Sequence, residues 1–349
     1  MILGTKGRMV RNTNSRRSRI VLKYNDMLAE VITEDTESFT WTDCASGEAD
    51  TISLTLDNKG LKWIKGGWFP HSSDFIKMSI RVTHWRHQSD NRLVYCGKFA
   101  VDTFDASGFP GTVDIQGISI PIHTSFNVTE RNKTYKKTSI RSILSEIASR
   151  ADIKLVFSAD NHKISEISQE GQTDMDFAFS LCGDYDLGMK VYNGKLVVYD
   201  QTVYEKKKKN FTLDISDLGE SDAYRFSRRV SKAYDGVKLQ YENKDGKKVT
   251  YRYVVPGKKG KRLLYLSMSA DSHADAERIA KAKLAQNLRQ TITATFKVMG
   301  DPKYQACKVF ELTGFGKFNG RYFIDKAIHS KSGAYRTTIQ CHRCVTNIK

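Results

Sequence analysis

The chain is short of proline, short of cysteine and lacks any long apolar run, and each shortage narrows what it can be. Five prolines in 349 residues leave little material for Pro-rich disordered linkers, so the chain reads as folded over most of its length. No apolar stretch approaches the roughly 20 residues of a membrane span. The basic start, with Arg8, Arg11, Arg16, Arg17 and Arg19, lacks the apolar segment of a secretory signal. These features describe a protein made and folded in a cytoplasm, where six cysteines stay reduced. Only Cys341-His342-Arg343-Cys344 has metal or redox spacing. A zinc site needs four ligands and no second pair accompanies this one, so the two cysteines read as small residues at a strand end.

Catalytic signatures are missing as well. There is no Gly-x-Ser-x-Gly elbow, no His-Glu-x-x-His, no phosphate-binding loop and no dinucleotide fingerprint. The eight histidines are dispersed, and His84 and His87, which flank Trp85, read as surface residues of a basic turn. Glu30, Glu34 and Glu37 would serve glycoside hydrolysis only if the fold brought two carboxylates within roughly 5 to 10 Å. No catalytic residue, metal ligand or cofactor is assigned. A cell-wall hydrolase whose residues converge only in the fold stays open as an alternative.

Charge, by contrast, is abundant. A formal net charge of +17, from 56 basic and 39 acidic residues, favours polyanions. It is concentrated in the N-terminal arm, in 206–209 and in 258–262, which read as loops rather than as a reading helix or an aromatic single-strand platform. Solvated loops are the simpler account. A basic nucleic-acid-binding module is the second alternative.

The most informative feature is a duplication. Gly97-Lys98-Phe99-Ala100-Val101-Asp102, then Gly108, then Thr112-Val113-Asp114-Ile115-Gln116, matches Gly320-Arg321-Tyr322-Phe323-Ile324-Asp325, then Gly333, then Thr337-Thr338-Ile339-Gln340. Each copy alternates apolar and polar side chains as a strand does, and each loop carries a glycine suited to a turn. Strand candidates at 52–56 and 75–82 precede the first copy, and others at 292–296 and 307–313 precede the second. Strands share a narrow composition, but order and spacing agree here too, which favours two related β-domains.

Between them the period changes. Ile140, Ile143, Leu144 and Ile147 form a helical stripe capped by Thr138 or Ser139. A second helix starts at Thr173 with Asp176 at capping-box spacing and stops at Gly188. Asn193-Gly194 between apolar runs predicts a hairpin. A long helix opens at Ser272, with Asp275 in a capping box. The organisation is thus a basic arm (1–19), a first β-domain (20–121), an α/β insertion (122–212) and a second β-domain (213–349) containing helix 272–289.

Ala45-Ser46-Gly47-Glu48-Ala49-Asp50-Thr51-Ile52-Ser53-Leu54, Gly67-Trp68-Phe69-Pro70, Cys96-Gly97-Lys98-Phe99 and Ser107-Gly108-Phe109-Pro110 closely resemble the late control protein D family. These are the central baseplate hub proteins of contractile phage tails and phage-tail-like bacteriocins. Ser139-Ile140-Arg141-Ser142-Ile143-Leu144, Asp174-Met175-Asp176-Phe177 and Gly314-Phe315-Gly316-Lys317-Phe318-Asn319-Gly320-Arg321-Tyr322 extend the likeness over nearly the whole chain. The resemblance implies a β-rich α+β fold: two related β-barrel-like tube domains, a small inserted α/β region and a helix within the second barrel. It also implies a non-enzymatic homotrimer, with two tube domains per chain mimicking six-fold order. The implied partners are the tail tube protein, the central spike protein, other baseplate proteins and the tape measure. No membrane binding of its own is implied, and DNA would pass through the lumen without specific binding. The implied location is a virion or tail-like particle assembled in the bacterial host cytoplasm.

Overall fold

In the first third of the chain, alternation of apolar and polar side chains makes strands. The elements there are β1 (Arg17–Tyr24), β2 (Met27–Leu28), α1 (Glu30–Asp35), β3 (Thr36–Cys44), β4 (Thr51–Asp57), α2 (Lys62–Lys65), β5 (Phe75–Thr83), β6 (Arg92–Ser107) and β7 (Thr112–Ile118). In β5 every second side chain, from Ile76 through Met78 and Ile80 to Val82, is buried, as one core-facing face requires. They meet Leu22, Trp41, Leu54, Phe99 and Ile115 in a single core. This computed structural model describes residues 15–65, 69–121, 124–219, 221–242 and 246–348, with residue 31 as backbone only. Most of the basic arm, residues 66–68 (with Gly67-Trp68) and residues 243–245 lie outside the described residues.

The middle third has its own core. It comprises β8 (Glu130–Ser139), α3 (Ile140–Arg150), β9 (Lys154–Ser158), β10 (Lys163–Thr173), α4 (Asp174–Asp184), β11 (Leu187–Tyr192), β12 (Lys195–Asp200) and α5 (Gln201–Lys206). Ser139 caps α3 by accepting from the Ser142 amide, and Thr173 caps α4 by accepting from the Asp176 amide. The α3 stripe is buried against α4 and β11. Asn193 and Gly194 both have positive φ, 51° and 67°, as the tight hairpin turn between β11 and β12 demands. Gly188 does not stop α4 as its position suggests. Asp186 takes the left-handed conformation instead (φ 58°), while Gly188 lies inside β11, where a Cβ would sit 2.2 Å from the Tyr199 ring.

The last third contains β13 (Phe211–Asp214), β14 (Tyr224–Arg228), β15 (Gly236–Glu242), β16 (Lys248–Val254), β17 (Leu263–Ser267), α6 (His273–Arg289), β18 (Ile292–Met299), β19 (Val309–Thr313), β20 (Gly320–Ser332) and β21 (Ala334–Arg343). The class is the β-rich α+β one expected from sequence, with a refinement. Helix α6 falls within the second β-region in chain order but packs on the separate sheet β16-β15-β17. Ala276, Ile279, Ala280 and Leu284 meet Val237 and Leu239 there, apart from the core around Phe296, Phe310 and Tyr322. An apolar stripe reveals that a helix has a buried face, not which sheet covers it.

The principal sheet among the described residues has thirteen strands, in the order β14-β18-β21-β20-β3-β4-β7-β6-β5-β1-β2, with β19 on β20 and β13 on β19. Two blocks within it, β4-β7-β6-β5 and β18-β21-β20-β19, repeat one pairing order. Antiparallel pairing of β3 with β20 joins them.

Candidate functional site: two matched hairpins and the junction between them

From the glycine through the bulge, the hairpins β6–β7 and β20–β21 share backbone features at equivalent positions. Gly97 faces Met78 and Gly320 faces Leu312. Their φ values are 144° and 138°, a region side-chain-bearing residues rarely adopt. Beyond them each long strand carries a bulge. The register against β7 shifts between Val101 and Thr103, and that against β21 between Ile324 and Lys326, leaving Asp102 and Asp325 as the extra residues. Such insertions bend a strand at a defined point. Thr103 then faces Gln116 just as Lys326 faces Gln340.

The side chains have diverged on this shared frame. A Cβ on Gly97 would lie 3.2 Å from the Phe99 ring and 3.7 Å from that of Tyr192, so its absence lets the inserted unit approach; at Gly320 the space is taken by the Arg343 guanidinium. Phe99 and Tyr322 are both fully buried. Lys98 Nζ lies 3.8 Å from the Phe75 ring centroid, whereas Arg321 donates to the Glu205 and Lys207 carbonyls at the end of α5. Asp102 is exposed, while Asp325 accepts from His342 Nδ1 at 2.8 Å. At the tips, Gly333 has φ 107° but Gly108 is outside the left-handed region, so the expectation that both loop glycines supply a special conformation holds only for the second.

The junction of the two β-regions is closely packed and rich in buried polar contacts. In the β3–β20 register Trp41 faces His329, their rings stacked with centroids 4.8 Å apart. His329 is wholly buried. Its Nε2 donates to the Tyr304 carbonyl at 2.7 Å, and its Nδ1 accepts from the Tyr335 hydroxyl at 2.7 Å. The turn that reads as surface in the sequence docks here. Trp85 is buried and donates from Nε1 to the Gly300 carbonyl at 2.8 Å. Beside it, Asp301 is fully buried and receives Arg86 Nε and Arg92 Nη1, each at 2.8 Å. Burial opposes its charge, but the two arginines and the Lys303 amide hold its carboxyl below the usual range.

Two further ionic knots tie in the inserted units. Lys190 of β11 reaches Asp43 at 2.7 Å and Asp50 at 3.0 Å, and Asp43 also accepts from the Ala306 amide at 2.8 Å. Three units therefore meet at one carboxylate. The second knot joins Arg289 at the end of α6 to Glu205 and Asp186, and His342 to Glu205 and Asp325. Burial works against charge on His342, but Asp325 and Glu205 outweigh it and raise its pKa to about 9. Both ring nitrogens then donate.

Opposed shifts bound the stable pH range. His329, buried and accepting from a hydroxyl, is pushed down to about 4. The folded state holds fewer protons there than the unfolded chain, so the stability from neutral His329 is present above about 6.5 and lost as pH falls toward 4. His342 acts in reverse: its contribution is present below about 6.5 and lost as pH rises through about 9. Melting temperatures across pH 4 to 10 should fall at both ends. His329→Gln, which keeps a donor to Tyr304, should flatten the acid side only, whereas an acid limb identical to wild type would refute the assignment.

Of the residues singled out in the sequence, Gly97, Lys98, Phe99 and Asp102 cluster at the first bulge, and Gly320, Arg321, Tyr322 and Asp325 at the second; Gly108 and Gly333 mark the two tips. Trp41, Trp85, Lys190, Asp301 and His329 were not singled out. A tryptophan within a polar turn was the one visible signal.

This architecture is the fold of phage tail proteins. Structures with it include a tail protein from Neisseria meningitidis (TM-score 0.68, 11% identity, covering 95% of this chain and 99% of that one) and the 43 kDa tail protein of prophage MuSo2 from Shewanella oneidensis (TM-score 0.62, 14% identity, 94% and 97%). A third is the E. coli c3393 protein, a component of the type VI secretion system with structural similarity to T4 bacteriophage tail proteins gp27 and gp5 (TM-score 0.55, 10% identity, 88% and 73%). No family model matches the sequence, and no curated protein does.

Proposed function

We propose that this chain is the structural, non-enzymatic hub of a contractile-tail baseplate. Three copies form a ring whose two β-regions per chain imitate six-fold order, joining a six-fold tail tube to a three-fold central spike. The observation that carries this reading is the repeated block, β4-β7-β6-β5 and β18-β21-β20-β19, with matching glycines and bulges, joined within one sheet. Four antiparallel steps, β20 to β3 to β4 to β7 to β6, make β6 and β20 run the same way. Both hairpin tips therefore lie at one rim, where six of them in a trimer would face one partner ring. The two β-regions are the proposed tube domains, bounded near 20–121 and 213–349, with β15 to β17 and α6 as a second insertion. Tape measure and further baseplate proteins complete the set of partners, in a particle assembled in the host cytoplasm. DNA would pass the lumen without sequence-specific contacts.

In a closed ring the two β-regions of one chain should be related by about 60° about the ring axis. Light scattering coupled to size exclusion, with the chain alone and with its spike protein, should give a trimer; a monomer at every workable concentration would sink the proposal. Release of fragments from purified peptidoglycan at low protein concentration would instead favour a hydrolase.

A further inference from the structure

The pseudo-repeat identifies a free edge on each β-region and specifies how they meet. Beyond its bulge, β20 pairs on one side with β21 and on the other with β3, from Lys326↔Cys44 to Lys331↔Phe39. The corresponding stretch of β6, residues 103–107, pairs with β7 only, among the described residues. Likewise β3 lies between β4 and β20, whereas its counterpart β14, on β18, has no strand on its outer side among the described residues. One acceptor edge and one donor edge are thus open, and each is the equivalent of a partner in the contact that β3 and β20 already make.

We infer that β6 of one copy pairs with β14 of the next, in the register of β3 on β20. This rests on the trimeric reading above and names its interface. Phe39 faces Leu54, which faces Ile115, and Tyr224 faces Phe296, which faces Ile339. Since Ile115 and Ile339 are equivalent in the two hairpins, Phe39 corresponds to Tyr224. The remaining pairs follow: Thr103 opposite Arg229, Phe104 opposite Arg228, Asp105 opposite Ser227, Ala106 opposite Phe226, Ser107 opposite Arg225 and Gly108 opposite Tyr224.

The chemistry of these pairs is complementary in charge and in size. On one face Asp105 lies diagonally between Arg225 and Arg229, within reach of both long side chains. All three are exposed, and none has an ion pair among the described residues. On the other face Phe226 and Tyr224 meet Ala106 and Gly108, which leave room for rings, and Arg228 meets the Phe104 ring, a favourable cation–π arrangement. A head-to-tail contact of this kind closes a ring of three, in which the β3·β20 contacts within chains alternate with β6·β14 contacts between them. Both exposed edges are then covered, removing an aggregation hazard.

The test is Asp105→Cys combined with Ser227→Cys in the full chain. Directly opposed strand residues lie about 5 Å apart, within disulfide range. Under mild oxidation the double variant should yield covalently linked trimers, while each single variant and the wild type, with its native cysteines, should not. In a second variant, Asp105→Arg should weaken trimerisation by about tenfold or more, with recovery on adding Arg225→Asp and Arg229→Asp. A wild-type trimer without these crosslinks would overturn this interface and leave the trimeric reading standing. A wild type that never trimerises would overturn both.

Discussion

Asp301→Ala should cost about 2–3 kcal/mol of stability, below the 3–5 kcal/mol typical of breaking a buried ion pair, because Arg86 and Arg92 are partly exposed and recover some hydration. The carboxylate is fully buried and holds Arg86, Arg92 and the Lys303 amide together. Its loss leaves two guanidiniums without their shared acceptor, next to the contact that seats Trp85 against Gly300. The effect should therefore be local before it is global. Urea titrations followed by tryptophan fluorescence should show an early transition, from Trp85 leaving its site, ahead of the main one seen by circular dichroism. Asp301→Asn retains the shape and one acceptor and should lose less. Arg86→Ala, which removes one half-exposed partner, should cost under about 1 kcal/mol. If Asp301→Ala unfolds in a single transition at the wild-type midpoint, the carboxylate does not hold the two β-regions together.

How much of this was legible beforehand follows from the range of each interaction. The hairpins, the caps at Ser139, Thr173 and Ser272 and the Asn193-Gly194 turn are local, and residues within a few positions determine them. The repeat was legible because both copies need the same glycine and the same bulge residue at the same spacing. The junction was not. Asp43, Asp301 and Lys190 look like ordinary surface charges in sequence, since burial and partnership come from strands far apart in the chain. The Trp85 turn has the polar composition of an exposed loop and is largely exposed, but Trp85 itself is covered because a distant segment, at Gly300, arrives beside it. Which sheet α6 packs on was hidden for the same reason.

That blindness to long-range charge bears on the second large effect, Lys190→Met. Methionine fills much of the lysine stem's volume but leaves Asp43 and Asp50 facing each other without a cation, both almost fully buried. Loss of one partner from a buried charge group costs about 3–5 kcal/mol. The cost should depend on pH with a definite sign. Burial already pushes the Asp50 carboxyl up, and Asp43 adds to this, with Lys190 holding it down. Without the lysine the folded state would retain a proton between the two carboxylates to a higher pH than the unfolded chain does. Stability contributed by a raised carboxyl is present below the unfolded pKa and lost as pH rises through the folded one. The variant should thus lie closest to wild type near pH 5 and furthest from it near pH 8, as measured by urea midpoints at the two pH values. Asp50→Asn added to Lys190→Met removes one of the opposed charges and should recover part of the loss at pH 8 and little at pH 5. A deficit equal at both pH values would show that Lys190 matters for its packing and not for its charge. Because Asp43 also holds the Ala306 amide, the charge-based account further requires the loosened variant to expose the inserted α/β unit first, with amide exchange rising in β11 and β12 ahead of β5 and β18.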